Sequence, residues 1–572
     1  MAQVTVQATD IKGLTPAISA VNSSDTYALS GTNYVFDSQG PKTAFGSRIV
    51  NGNPFWAPLL RRGFQVIRAS NKIVVCTNEA LFELEIASGK LIPILAFEPF
   101  QLIARWTNGF LNGVEYFCHP GIGVLFWDQR NGTRGHHNVP GMPSSPIAIV
   151  VDNGRLVVLD NKTATWSAPS DGSNFIPSVA GAGVQVVSDR VSGDPIMVTS
   201  YSRGFLVWTN QGVMRSEFSG GVEVYRHRGI NTEYRPINSF CVVKLDDETT
   251  VILDPRGLFS SRGEPPVPFT SVFNEFLIEE LKNNDSLVGN NIRMEWDAFA
   301  RRIYISRAFQ LTGELYDQAL VLYQPLEKWG SFDFPHYGIG RGYWLNQEGY
   351  LCQFAGLAHM QQPPVDTTSH RFDPLRQYPP IAQRQRQSQT LSSVIRLSAL
   401  PESQSQTLLT PGLYTFNGAA ELAKLKSGLD GRLTFGLFRL QSEEIADQLI
   451  EVNEILVGSV LSRELSTSDV DYNLIPPGVS DEDYNVAIGN EDFGLNPLSF
   501  INFQLRSLGT IDGHTVFTSK TPSLARFVAG LRVFSGGALG IWHSLELTAQ
   551  TEGEYFHLRH VQLNGMPAGR LL

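Results

Sequence analysis

The chain has 572 residues, of which 42% are hydrophobic, 10% aromatic and only 17% charged. That supplies a substantial core, while the charged fraction lies below the roughly 25% usual for soluble domains, so much of the surface is expected to be covered by partner chains. The net charge of −10 excludes a protein that holds nucleic acid by general electrostatic attraction. At roughly 150 residues per domain the length admits two to four domains, although one β-propeller can hold about 300 residues or more as a single unit.

The opening MAQVTVQATDIKG has neither a basic leader nor an apolar stretch, and no secretory signal is expected. No apolar run reaches the roughly 18 residues of a membrane span. Cys76, Cys118, Cys241 and Cys352 lie far apart inside apolar runs and form no CxxC pair. They are read as buried free thiols of a protein made in a reducing cytoplasm.

From about residue 70 to 356 one phrase recurs: a short β-branched or aromatic run, a turn residue, and a second such run. Val74-Val75-Cys76 passes Asn78-Glu79 to Leu81–Leu84, and Val114–Phe117 passes Gly121 to Val124–Trp127. Ile147–Val151 passes Asp152-Asn153-Gly154 to Leu156–Leu159, and Phe205–Trp208 passes Asn210-Gln211-Gly212 to Val213-Met214. Val251–Leu253 passes Asp254-Pro255-Arg256-Gly257 to Leu258-Phe259. Arg302–Ile305 is followed after a longer connection by Leu320–Tyr323, and Tyr343–Leu345 passes Asn346–Gly349 to Tyr350-Leu351. Glycine and Asn/Asp adopt the positive φ that tight hairpins need. A hairpin leaves both faces unburied, and units repeating every 30–60 residues or so read as propeller blades. The competing reading is an irregular β-sandwich.

One segment breaks the strand pattern. Val272, Phe273, Phe276, Leu277 and Leu281 recur at helical spacing with Glu275, Glu279 and Glu280 between them. This predicts a short amphipathic helix inserted between two blades, its apolar stripe facing the core. From Gln361 the composition turns to proline, glutamine and serine, as an extended linker or arm does. Two β-rich blocks follow, with period-2 alternation in GRLTFGLFRL, IEVNEILVGSVL, SFINFQLRSLG and IWHSLELTAQ, separated by an acidic, loop-like stretch at 466–490. The expected fold is all-β: a β-propeller with additional C-terminal β-sandwich-like domains and one short inserted helix. The expected division is an N-terminal arm or platform of strands at 1–50, the propeller at 51–357, the linker or arm at 358–406, a β-rich domain at 407–496 and a C-terminal β-rich segment at 497–572.

Few residues point to chemistry. Asp469, Asp471, Asp481, Glu482 and Asp483 are acidic enough for Ca²⁺, but the DxDxDG spacing is absent and Pro476-Pro477-Gly478 interrupts them, so an exposed loop is expected. His136-His137 has no Cys or carboxylate at ligand spacing. Glu115, Asp128, Asp160, Glu217 and Asp254 sit at strand ends or turns and are the candidates for a glycosidase carboxylate pair. Trp106, Trp127, Trp166, Trp208, Trp296, Trp329 and Trp344 suit blade cores better than sugar platforms. Arg384 and Arg386 could meet phosphate, although a solvated or partner-facing strand fits better. No catalytic, cofactor-binding or metal-binding residue is assigned, and no enzyme motif or cofactor is expected.

Between about Phe205 and Leu357 the sequence resembles the tail nozzle, or packaged-DNA stabilisation, proteins of short-tailed bacteriophages. FLVWTNQGVMRSEF is similar to their strand–turn–strand, and INSFCVVKLDDETTVILDPRGLFSS to a blade closing on D-x-x-G and a hydrophobic residue. FNEFLIEELKNN resembles their short helix, and MEWDAFARRIYISR with ALVLYQPLEKWGSFDF their paired strands ending in a tryptophan-containing strand. The resemblance spans about half the chain and extends in pattern to a final β-sandwich; the β-rich material after residue 360 exceeds that of the smaller family members. It implies a virion protein, assembled in the bacterial host cytoplasm as a ring of six copies below the portal–adaptor connector. Such a ring narrows the DNA channel, retains the packaged genome and docks tail fibres or spikes, with a needle or plug as a further partner. The DNA passes through without specific binding, no stable membrane insertion is involved, and no catalytic residue is carried over. The alternative is a carbohydrate-binding or glycan-degrading propeller, and a third reading is a propeller scaffold that binds another protein.

Overall fold

The computed structural model describes most of residues 64–357, with breaks of which the longest is 282–290, and strand segments between 4 and 51 and between 412 and 570. The regular structure among the described residues is almost entirely strands. Among the described residues, six four-stranded antiparallel sheets stand alone, and a further four-strand run begins a larger sheet.

The first blade comprises Gln65–Ala69, Lys72–Cys76, Ala80–Glu85 and Lys90–Ala96. The second comprises Thr107–Leu111, Val114–His119, Gly123–Asp128 and Arg134–His136. The third comprises Ala148–Asp152, Arg155–Leu159, Thr163–Trp166 and Gly183–Val186. The fourth comprises Pro195–Tyr201, Gly204–Thr209, Gly212–Phe218 and Tyr225–Asn231. The fifth comprises Val242–Lys244, Thr250–Asp254, Gly257–Ser261 and Val267–Pro268. The sixth comprises Ile292–Asp297, Arg302–Arg307, Gln318–Tyr323 and Lys328–Phe332. The last pairs His336–Leu345, Leu351–Leu357 and Gly412–Phe416 with Arg48–Asn51 from the N-terminal region.

Each blade is a meander, and its first strand packs against the first strands of the blades before and after it. The first strand of the last blade packs in turn on Gln65–Ala69, so the ring closes. This is a β-propeller, as the recurring hairpins predict. The turns follow from their residues: Asn112-Gly113 has φ of 49° and 85°, and Asn153-Gly154 has 43° and 69°. Paired positive φ is the type I′ geometry whose twist matches that of the flanking strands, and Asn-Gly reaches it at least cost. Residues Asn274, Glu275, Leu277, Ile278 and Leu281 are helical, between the fifth and sixth blades, with Leu277 and Leu281 buried in the core.

Strands from the two chain ends interleave in the remaining sheets. Gln448–Ser462 pairs with both Leu531–Gly540 and Tyr555–Arg570, and Tyr555–Arg570 also pairs with Val4–Thr9. In the second of these sheets Gly431–Phe435 and Phe500–Thr510 flank Trp542–Gln550, and Tyr27–Thr32 extends it. The first is continuous with the sixth blade, because Ser331 of its outer strand meets Tyr34 of strand Tyr34–Asp37. Tyr34, Phe36, Leu433, Val452, Ile455, Leu545 and Leu558 therefore share one apolar core with Leu253, Ile303 and Trp329 of the fifth and sixth blades. Stretches 1–50, 407–496 and 497–572 thus contribute strands to common sheets. The linker 358–406, with Arg384 and Arg386, and the acidic residues Asp469 to Asp483 lie outside the described residues.

Candidate functional site

Among the described residues a dense polar constellation lies where the first strands of the blades begin. Arg105 immediately precedes the second blade. Its backbone N–H donates to Ser239 Oγ at 3.0 Å, and its guanidinium donates to the carbonyls of Ser239, Phe240 and Met294 at 3.1, 3.1 and 2.6 Å. The same guanidinium pairs with Glu295 Oε2 at 3.3 Å. Arg293 donates to the other carboxylate oxygen, Oε1, at 3.0 Å, and reaches the carbonyl of Phe64, at the entry to the first blade, at 2.7 Å. Both guanidinium groups lie over the Phe240 ring, at 5.5 and 4.7 Å from its centroid. Arg105, Arg293, Glu295 and Phe240 are 2%, 0%, 1% and 0% exposed. The Glu295 carboxylate lies between the two guanidinium groups, and carbonyl oxygens and an aromatic face add to their pairing.

Sequence reasoning missed this centre. A signal was present in Ile292–Asp297, where Arg293 and Glu295 stand inside a strand buried along its whole length, and buried charges must be paired. The partners were not readable, since Arg105 and Glu295 are 190 positions apart.

The candidate carboxylates are not brought together. Glu115 accepts from Ser70 Oγ and Asn108 Nδ2, and burial pushes its carboxyl up. Asp128 pairs bidentately with Arg130, whose hydrogen bonds hold it below the usual range. Glu115 lies opposite Trp127 and Asp128 opposite Val114, so these two point to opposite faces of one blade. Asp160 accepts from the backbone of Lys162 and Thr163 in its own turn. Glu217 pairs with Arg215 and Asp254 with Arg256. Asp128, Asp160, Glu217 and Asp254 each serve their own blade, and Glu115 ties the second blade to Ser70 of the first.

His136 is exposed on strand Arg134–His136, whereas His137 is buried. His137 Nε2 donates to the Gly172 carbonyl at 2.7 Å and the ring packs on Tyr116. His119 is stacked on Phe100, donates through Nε2 to the Ala104 carbonyl at 3.2 Å, and accepts the Gly121 N–H at Nδ1. Burial lowers its pKa to about 4. Among the described residues no three His, Cys, Asp or Glu side chains converge as a metal-binding group. Cys76, Cys118 and Cys241 are buried free thiols, and burial pushes Cys241 up to about 12. Cys352 lies on strand Leu351–Leu357. Trp106, Trp127, Trp166, Trp208, Trp296 and Trp329 are buried in blade cores. Among the described residues no helix is long and apolar enough to cross a membrane, a statement that does not extend to strands.

No protein-family model matches the chain, and no curated protein matches it. A solved structure described as YCF48 bound to D1 peptide matches with a TM-score of 0.32 and 11% identity, over 54% of this chain and 91% of that one. A likeness of this degree carries no argument about function.

Proposed function

We propose that the chain is a structural virion protein, a nozzle subunit of a short-tailed phage that assembles as a ring of six around the DNA path. The observation that carries this reading is the tail-nozzle pattern in Phe205–Leu357. Its segments fall in the fourth blade, the fifth blade, the helical residues 274–281 and the sixth blade, in that order. Low charge, 17% of residues, suits large subunit contacts. The net −10 suits a bore lined by acidic and polar groups, through which DNA slides without counterion-release binding. Retention of the genome is then steric, by a constriction or a plug, and the outside of the ring meets the portal–adaptor above and fibres or spikes around it. The scattered, locally paired carboxylates support the structural reading over the glycan-degrading one.

The test is the mass of the purified full chain by native mass spectrometry, with linear duplex DNA and a glycan panel assayed alongside. A species of six chain masses that neither shifts DNA at low salt nor cleaves glycans is expected. A monomer that releases reducing sugar overturns the reading in favour of a glycan-active propeller.

A further inference from the structure

In a ring of blades, each blade touches its two neighbours, and contact between non-adjacent blades must cross the centre. Arg105 belongs to the entry of the second blade, Ser239 and Phe240 to the entry of the fifth, and Met294 and Glu295 to the first strand of the sixth. Arg293 of the sixth blade reaches Phe64 of the first, past the last blade that lies between them. These contacts span the centre on two chords, and they join at the Glu295 carboxylate.

We propose that Arg105 is a cross-axis tie. With Glu295, Arg293 and the Phe240 ring it seals the propeller at the end where its inner strands begin and binds opposite blades into one unit. The burial of all four residues is the first support: in an open, water-filled axis two guanidinium groups would be hydrated, yet each is at most 2% exposed. The second is the choice of side chain. A guanidinium has five donors in a rigid fork, and Arg105 spends them on three carbonyls and a carboxylate contributed by two other blades. A lysine can supply neither the fork nor the flat stacking on Phe240. The third is its anchorage. His119, at the end of the second strand of the same blade, holds the Ala104 carbonyl beside it, and Trp106 on its other side donates its backbone N–H to Gln65 Oε1. The axis of each chain is therefore neither a conduit nor a ligand funnel at this end. Whatever passes through an assembly of these chains passes between them. This inference is independent of the tail reading, since a monomeric propeller with the same tie would be sealed in the same way.

The test is amide hydrogen exchange on the full chain, comparing wild type with Arg105→Met, Arg105→Lys and the control Arg155→Met. Arg155 is also buried, but its hydrogen bonds go to Asn153 and Gly181 of its own blade and its guanidinium lies over Phe218 of the adjacent fourth blade, so none of these contacts crosses the centre. Arg105→Met is expected to speed exchange about tenfold or more at the fifth- and sixth-blade entries, Ser239–Val243 and Ile292–Trp296, because the Ser239, Phe240 and Met294 carbonyls and one Glu295 oxygen lose a buried donor and the opening is shared between blades. Arg105→Lys is expected to do so to a smaller degree, and Arg155→Met only near residues 152–183 and around Phe218. If Arg105→Met does not fold, Arg105→Lys decides alone. Faster exchange confined to residues 97–111 in the Arg105 variant that folds overturns the proposal.

Discussion

At the scale of the residue, the polar groups inside this protein are committed to holding strands in place, and the histidines show it most directly. His119 uses both ring nitrogens, one donating to Ala104 and the other accepting from Gly121. A proton on Nδ1 would set that nitrogen against the Gly121 N–H. Burial keeps the folded-state pKa at about 4, and half-buried His227 is lowered to about 4 as well, by desolvation and then by the charge of Arg190. Both values lie below the unfolded 6.5 or so, so between roughly pH 4 and pH 6.5 the unfolded chain binds more protons than the folded one. Their contribution is therefore fully present above pH 6.5 and lost as the pH falls toward 4, by roughly 3 kcal/mol for a shift of this size. The burial-raised carboxyls of Glu115 and Asp152 titrate with the opposite sign, so the informative quantity is the slope of one variant against wild type. His119→Gln is expected to lower Tm at pH 7 and to flatten its decline between pH 6.5 and 4.5. An unchanged slope in thermal melts would show that His119 does not charge on unfolding. At this scale the sequence was least informative. Cys76, Cys118 and Cys241 were readable as buried because apolar neighbours surround them in sequence, but the partners of Arg105, Arg293 and Glu295 are set by tertiary contact alone.

At the scale of the element, the hairpins were legible because local chemistry dictates them. Asn153-Gly154 reads as a type I′ turn from its two residues alone, and the runs on either side become Ala148–Asp152 and Arg155–Leu159, paired Asp152 to Arg155. The helix was legible for the same reason, since the spacing of Leu277 and Leu281 is a property of the segment itself. What no segment declares is its distant partner. Arg48–Asn51 reads as an N-terminal strand, yet it is the outer strand of the last blade, paired with Gly412–Phe416, and so fastens the chain start to the ring closure. Val4–Thr9 instead joins Tyr555–Arg570 in the interleaved C-terminal sheet. The two roles separate by deletion. Removing residues 1–10 is expected to leave the cooperative melting of the propeller in place. Removing residues 1–51 takes away the closing strand and the Tyr34–Asp37 strand and exposes two sheet edges, so an aggregating or non-cooperatively melting protein is expected. Calorimetry and dye binding report the difference, and a 52–572 chain that melts as sharply as the full one would remove the closing role from Arg48–Asn51.

At the scale of the whole molecule, the fold class followed from repetition: units that cannot bury their faces alone must stack. The stacking order, the closure by an N-terminal strand and the fusion of the sixth blade with the interleaved sheets through Tyr34 and Ser331 are global and left no local trace. Together they make a propeller whose entry end is sealed and whose outer edge runs into a second sheet system, a shape suited to building a wall. In the proposed ring the passage is therefore expected at the symmetry axis between copies, and none within a copy. Electron microscopy of the purified full chain tests this most directly. End-on averages are expected to show six subunits around one open bore, with continuous density across the centre of each propeller. Single propellers, or rings whose only openings run through the centres of the individual propellers, would contradict it.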